Sequence, residues 1–306
     1  MHLMRGDITT ANALFPTNRV GAIVFAVTLM CSNFVAAQSA TKPAGEPNRV
    51  TFEYVAPNSS DLQSLYQGLK DHRALETLQK ILSPLRLPEE LAVKTMECGK
   101  VNAWYRRENS KPTVTICYEV LQDVLGSLPK EATVHGISAE DAKIGQLLWL
   151  SLHEVGHATF DIFGVPIFGN EEIAADNFAS YVMLQFAEAR QLIIGAAWKW
   201  NAYVQNYKMN PVVQVRLAGF ASDHGLPQER FYNVLCMAFG SDPVVFADFV
   251  KEGYLPRVRA ANCVREYMKF ANAFEKQIGP HIDFELAKGI TGAKWIPASA
   301  SKDGAK

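Results

Sequence analysis

Ser151-Leu152-His153-Glu154-Val155-Gly156-His157 is the stretch that organises this 306-residue chain. Its apolar neighbours Ile144, Leu147, Leu148 and Leu150, continued by Leu152 and Val155, predict an apolar-faced helix. Ser138 with Asp141 three residues on resembles a capping box, and Gly164 and Pro166 supply a stop, so the helix is expected over about 139–162. Residues four apart in a helix share a face about one turn apart. His153 and His157 therefore present two imidazoles that one tetrahedral Zn²⁺ can take together. Glu154 is rotated about 100° from His153 and stands beside the metal, placed to take a proton from water and pass it to a leaving group. Gly156 costs about 1 kcal/mol against Ala in mid-helix, and its bare backbone lets another element approach closely. The bland alternative is a partly buried helix that happens to carry two histidines.

The next segment predicts the third ligand. Asn170 is a good N-cap for a helix beginning Glu171-Glu172-Ile173-Ala174-Ala175-Asp176, and acidic residues in its first turn suit the helix dipole. Glu172 and Asp176 are i, i+4 and share a face, whereas Glu171 is expected to point elsewhere. A catalytic zinc needs three protein ligands and one open position. Glu172 is assigned as the ligand and Asp176 as the carboxylate that orients a ligand imidazole through its other nitrogen. Glu171 or Asp176 as ligand, or ordinary N-terminal helix charges, are the competing readings.

H-E-x-x-H followed by E-x-x-x-D resembles the gluzincin metallopeptidases, the thermolysin-like group. Glu172-x-x-Ala175-Asp176-x-x-Ala179 is also similar to the membrane-associated zinc peptidases that process prenylated proteins. The best overall resemblance is to a family of bacterial exported metallopeptidases, formerly a domain of unknown function. It is carried by Cys98-Gly99, Asn102-Ala103-Trp104-Tyr105, Cys117-Tyr118-Glu119, the two helices above, Phe231-Tyr232-Asn233 and Gly240-Ser241-Asp242-Pro243. It implies a zincin fold and zinc, and leaves the substrate open. Asn102-Ala103-Trp104-Tyr105 is similar to the edge strand with which thermolysin-like enzymes hold a substrate backbone, which implies that Asn102 and Ala103 line the cleft by accepting an extended peptide. A strand that merely packs its aromatics on the core is the alternative.

Composition fits a globular protein: 48% hydrophobic, 20% charged, formal net charge −1. With no basic excess or long charge run, nothing points to nucleic acid. The length suits one large domain or two closely packed lobes. Arg19 followed by the apolar run Val20–Met30, with Val35-Ala36-Ala37 at a small-residue cleavage site, predicts a signal peptide over 1–37. The alternative is an uncleaved anchor, for which the run is short and broken by Ser32 and Asn33. The expected location is periplasmic or secreted, with no stable membrane insertion after cleavage. Residues 38–50 read as a flexible lead-in, and 298–306 as a disordered tail.

Between these lies an expected α+β, zincin-like domain over 51–297. Its N-terminal α+β lobe covers about 51–165 and its mostly helical C-terminal lobe about 166–297. Thr51–Val55 alternates as a strand. Ser60 with Gln63 resembles a capping box for one helical element ended by Pro84 and Pro88. Leu91–Cys98, Val101–Arg106 and Pro112–Cys117 predict a small antiparallel or mixed sheet, read as a meander with a substrate edge strand. Later helices are expected over Ala187–Gln205, Glu229–Phe239, Val244–Tyr254 and Arg257–Ile278.

Cys31 falls in the signal. The other four cysteines are an even set in an exported chain, so disulfides are expected. Three pairings are possible, of which Cys98–Cys117 and Cys236–Cys263 are predicted; four buried thiols are the alternative. Among the other histidines, His72 and His135 sit in polar contexts. Gluzincins often use a downstream His or Tyr to stabilise the oxyanion, and His224 is the candidate, ahead of Tyr254 and His281. The chain is thus expected to be a metallopeptidase that uses one Zn²⁺ on peptide or protein substrates. An inactive zincin-like binding or inhibitory module, and a zinc hydrolase of a non-peptide amide bond, are the rival readings.

Overall fold

The computed structural model describes residues 48–126, 139–209 and 224–291. The expected signal peptide, most of the lead-in, the Ser138 cap, His135 and the C-terminal tail lie outside the described residues. Strand β1 (Val50–Tyr54) is followed by helices α1 (Ser60–Asp71) and α2 (Ala74–Leu82). Strands β2 (Leu91–Met96), β3 (Ala103–Glu108) and β4 (Lys111–Cys117) come next, then helix α3 (Tyr118–Gly126). The remaining helices are α4 (Ala139–Phe163), α5 (Glu171–Met183), α6 (Ala189–Met209), α7 (Pro227–Ser241), α8 (Ala247–Lys251), α9 (Arg257–Gln277) and α10 (Phe284–Thr291).

The four strands form one mixed sheet in the order β1-β2-β4-β3. β1 and β4 both run parallel to β2, and only β3 and β4 are antiparallel. The expected meander is therefore corrected: β2 pairs with β4, and β3 is displaced to the edge. Burial explains the order. Six of the seven β4 residues are buried, which suits an interior strand, whereas β3 has no buried residue. Asn109 and Ser110 both adopt positive φ, 49° and 69°, as a two-residue hairpin turn requires. Parallel pairing brings the C-terminal ends of β2 and β4 together, where Cys98 and Cys117 are joined.

The phase of the hairpin follows from one bond. Cys117 N–H donates to the Asn102 carbonyl at 3.2 Å, so residues 102, 104, 106 and 108 turn their main-chain groups toward β4. Ala103, Tyr105 and Arg107 then face theirs to the outer edge of the sheet, which is open in that no further strand lies beyond β3 among the described residues. Pro112, which has no N–H, sits opposite Arg107, where none is needed for the β3 ladder.

Two helix readings also change. The element before β2 is two helices, because Arg73 adopts left-handed φ (53°) and breaks the run. The N-cap of α1 is Ser59, and Gln63 donates to the Pro57 carbonyl rather than closing a capping box at Ser60. The segment expected as a helix over Val244–Tyr254 shortens to α8, since Asp242 Oδ1 accepts from Val244 and Val245 N–H and holds a turn there.

Helix α4 is central, packing on β3, β4, α3, α5 and α6. Leu152 and Val155 are fully buried. Glycines set two crossings. A Cβ on Gly145 would come within 2.5 Å of the Leu192 carbonyl of α6, and one on Gly156 within 3.2–3.3 Å of Phe178 and Ala175 of α5. Gly156 thus admits the helix that carries Glu172 and Asp176. Helix α4 ends at Phe163, and Gly164 follows at φ +60°.

Candidate metal centre

Helix α5 starts where its cap places it: the Asn170 side chain accepts from Glu172 N–H and Ile173 N–H. That start, with the close approach at Gly156, brings the acidic first turn of α5 against the two histidines of α4. Glu172 Oε2 lies 3.1 Å from His153 Nε2, Glu172 Oε1 lies 3.5 Å from His157 Nε2, and the two Nε2 atoms are 3.3 Å apart. The carboxylate straddles the pair, one oxygen toward each ring. Four-coordinate zinc with bonds near 2.0–2.1 Å holds its tetrahedral ligand atoms about 3.3 Å from one another. The spacings match that edge length, and the donor set of two imidazoles and a carboxylate suits the same ion.

The far nitrogen of each ring meets a carboxylate of its own. Asp176 Oδ1 is 2.8 Å from His153 Nδ1, a charge contact whose angle falls short of an aligned hydrogen bond. Glu171 Oε1 is 2.8 Å from His157 Nδ1. This corrects the expectation that Glu171 points elsewhere. Neighbouring helix positions are only about 100° apart, and a flexible glutamate at the first position reaches round to the second ring. Asp176, almost wholly buried, also accepts two hydrogen bonds from Arg230 of α7, at 2.8 and 2.6 Å. The Arg230 guanidinium lies over the rings of Trp149 and Trp200, and Trp149 stacks on His153 with centroids 5.1 Å apart.

Arg230 and Trp149 escaped the sequence reading, though each left a trace. Trp149 stands four residues before His153, on the same helical face. Arg230 is a cation in the first turns of a helix, where the dipole disfavours it unless an anion is near. His224, from the segment before α7, is exposed and brings Nε2 to 3.5 Å from Glu172 Oε2, so it borders the cluster. Of the other downstream candidates, His281 stacks on Phe163 at the end of α4, and Tyr254 is half-buried.

Electrostatics follow from this packing. Burial pushes the Glu154 carboxyl up, while His153 and His157 pull it down, and the net shift is upward. For His157 burial disfavours the cation, but Glu172 and Glu171 outweigh it and raise the pKa to about 9 in the metal-free protein. His153 is raised in the same way by Asp176 and Glu172 against its burial. Glu172 is held well below the usual carboxylate range, because its two histidine partners overcome a burial that would raise it.

Two cysteine pairs lie at bonding distance, Cys98–Cys117 and Cys236–Cys263, with Cα atoms 5.5 and 5.0 Å apart. The first is not a metal site, although Glu119 is close. Its sulfurs are joined, and Glu119 accepts from Cys98 and Gly99 N–H. The second ties α7 to α9. Disulfides fit an oxidising, exported setting. No helix among the described residues is long and apolar enough to cross a membrane.

A small mixed sheet beside an H-E-x-x-H helix, crossed by an E-x-x-x-D helix, defines a zincin-like protein with a His-His-Glu candidate metal site. Residues 54–278 match the model of a family described as "Putative metallopeptidase", and the chain belongs to that family. No curated protein and no solved structure matches the chain significantly.

Proposed function

We propose that this protein is a zinc-dependent peptidase in which His153, His157 and Glu172 hold one Zn²⁺. The observation that carries the reading is the spacing of the three donor groups, 3.1–3.5 Å, at the edge length of a tetrahedral zinc site. When bound, zinc acidifies water and polarises a carbonyl. Glu154 is the general base: it follows His153 directly in α4 and is buried beside the two histidines, where burial holds its carboxyl above the ordinary value. It accepts the proton of the attacking water and returns it to the departing amine.

His224, beside Glu172 and open to solvent, donates to the oxygen that gains charge on the attacked carbonyl. Asp176 and Glu171 hold the two ligand rings in orientation. Ala103 receives the substrate main chain at the sheet edge, where its peptide groups are turned away from β4, and Asn102, whose carbonyl is taken by Cys117 N–H, lines the cleft through its side chain. The substrate is a peptide or protein in an extended conformation. The protein acts after export, its signal peptide removed at about residue 37, in the periplasm or outside the cell.

Glu154→Gln tests the mechanism. It is expected to keep zinc and lose nearly all hydrolysis of a denatured protein substrate, and an active Glu154→Gln protein would overturn the assignment of the base.

A further inference from the structure

Helix α4 carries a third residue on the stripe that bears the two histidines. Asp161 follows His157 by four residues and His153 by eight, so it lies on the same face, about 6 Å beyond His157 along the axis. Its carboxylate does not touch the histidines; two side chains of the edge strand converge on it. The Tyr105 hydroxyl donates to Asp161 Oδ2, and Arg107 Nε donates to the same oxygen at 2.7 Å. The other arm of the Arg107 guanidinium grips Glu89, just before β2, at 3.0 and 2.7 Å.

Tyr105 and Arg107 are the residues whose main-chain groups face the open edge of the sheet, together with Ala103. An extended chain added there would pair with Ala103, Tyr105 and Arg107 over about 13 Å, four steps of about 3.3 Å. Two of the three residues that would receive it are thus tied by their side chains to the histidine-bearing stripe. A surface ion pair by itself contributes little to stability. Here two side chains meet at one carboxylate and join elements more than 50 residues apart in sequence, and the contact ties the sheet edge to the helix that carries His153 and His157.

Building on the peptidase reading, we propose that Asp161 is a positioning residue. With Tyr105 and Arg107 it clasps β3 to α4 and sets the edge strand at the separation from the metal that an extended peptide must span.

The test uses the zinc-loaded, disulfide-intact protein carrying Glu154→Gln. Fluorescent peptides of eight residues and of two are titrated by anisotropy, with Asp161→Leu, Asp161→Asn and Tyr105→Phe added in turn. Loss of a charge-assisted hydrogen bond is expected to weaken the eight-residue peptide by about tenfold in Asp161→Leu. Asp161→Asn, which keeps an acceptor oxygen, should recover most of that loss. The two-residue peptide, too short to lie along β3, should be unaffected, and zinc content should not change. Equal weakening for both lengths, or a lowered melting temperature with unchanged binding, would overturn the clasp and leave Asp161 a stability residue. No binding of either peptide to the zinc-loaded protein would overturn it as well. The peptidase reading is tested separately, by hydrolysis with the Glu154-intact protein.

Discussion

Arg230 holds Asp176 through two hydrogen bonds at one of the most buried carboxylates of the described chain, and Asp176 in turn lies 2.8 Å from the ring of His153. A helix more than 50 residues downstream thereby reaches the candidate metal site through a single anion. Breaking a buried pair from one side leaves an uncompensated charge, which costs about 3–5 kcal/mol. Arg230→Leu should show a loss of this size in chemical denaturation. It should also weaken zinc by about 10- to 100-fold, the usual effect of disturbing a group that orients a ligand histidine. A zinc titration with unchanged affinity would separate Arg230 from the site.

The two neighbouring glutamates at the start of α5 should differ in kind. Glu172→Ala removes a donor from between the imidazoles and should abolish stoichiometric zinc. Glu171→Gln only weakens the hold on His157 Nδ1, and should lower affinity by about tenfold while keeping full loading at excess zinc. Elemental analysis after dialysis against graded chelator distinguishes the two. The reverse pattern would make Glu171 the ligand.

Protons and metal compete for the same cluster. His157 is raised from 6.5 to about 9 in the metal-free protein, so its contribution to stability is complete below pH 6.5 and is lost as pH rises through about 9. Glu172 is shifted the other way. Its contribution is present above its ordinary value of 4.5 and fades on acidification toward its lowered folded value. Zinc must displace the imidazole protons, so its stabilising effect should grow with pH. Melting temperatures of metal-free and zinc-loaded protein from pH 6 to 10 should diverge as the metal-free form weakens. A gap that does not change with pH would contradict the coupling.

Gly156 sets the spacing of the two helices that form the candidate metal site. A Cβ there already meets Phe178 and Ala175 at 3.2–3.3 Å, so a β-branched side chain must push α5 away. Gly156→Val should destabilise by about 1–3 kcal/mol, as overpacking does, and zinc affinity should fall with it because Glu172 and Asp176 ride on the displaced helix. Calorimetry together with zinc titration checks both halves.

What could be read in the sequence follows how local each signal is. The extent of α4 and the start of α5 were legible because helical periodicity, the Asn170 cap and the Gly164 stop all act within a few residues. The grouping of His153, His157 and Glu172 was legible for the same reason, since two consecutive helices supply all three. Strand order was not: that β4 pairs with β2 rather than closing a meander depends on which strand is buried on both faces, which no single strand encodes. Glu171 was misjudged because helix geometry fixes a Cβ direction and not the end of a flexible side chain. Arg230 depends on the docking of α7 against α5, and its unfavourable place near a helix N-terminus was the one local hint. The clasp at Asp161 needed both the hairpin phase and the packing of β3 on α4.

The most direct measurement is the zinc content of the purified protein, wild type beside Glu172→Ala, after loading with zinc and removal of excess. The predicted result is about one zinc per chain in the wild type, as a three-ligand catalytic site holds, and none retained by the variant. A wild type that retains no zinc, or a variant that retains as much as the wild type, would contradict the assignment of His153, His157 and Glu172 as the metal site.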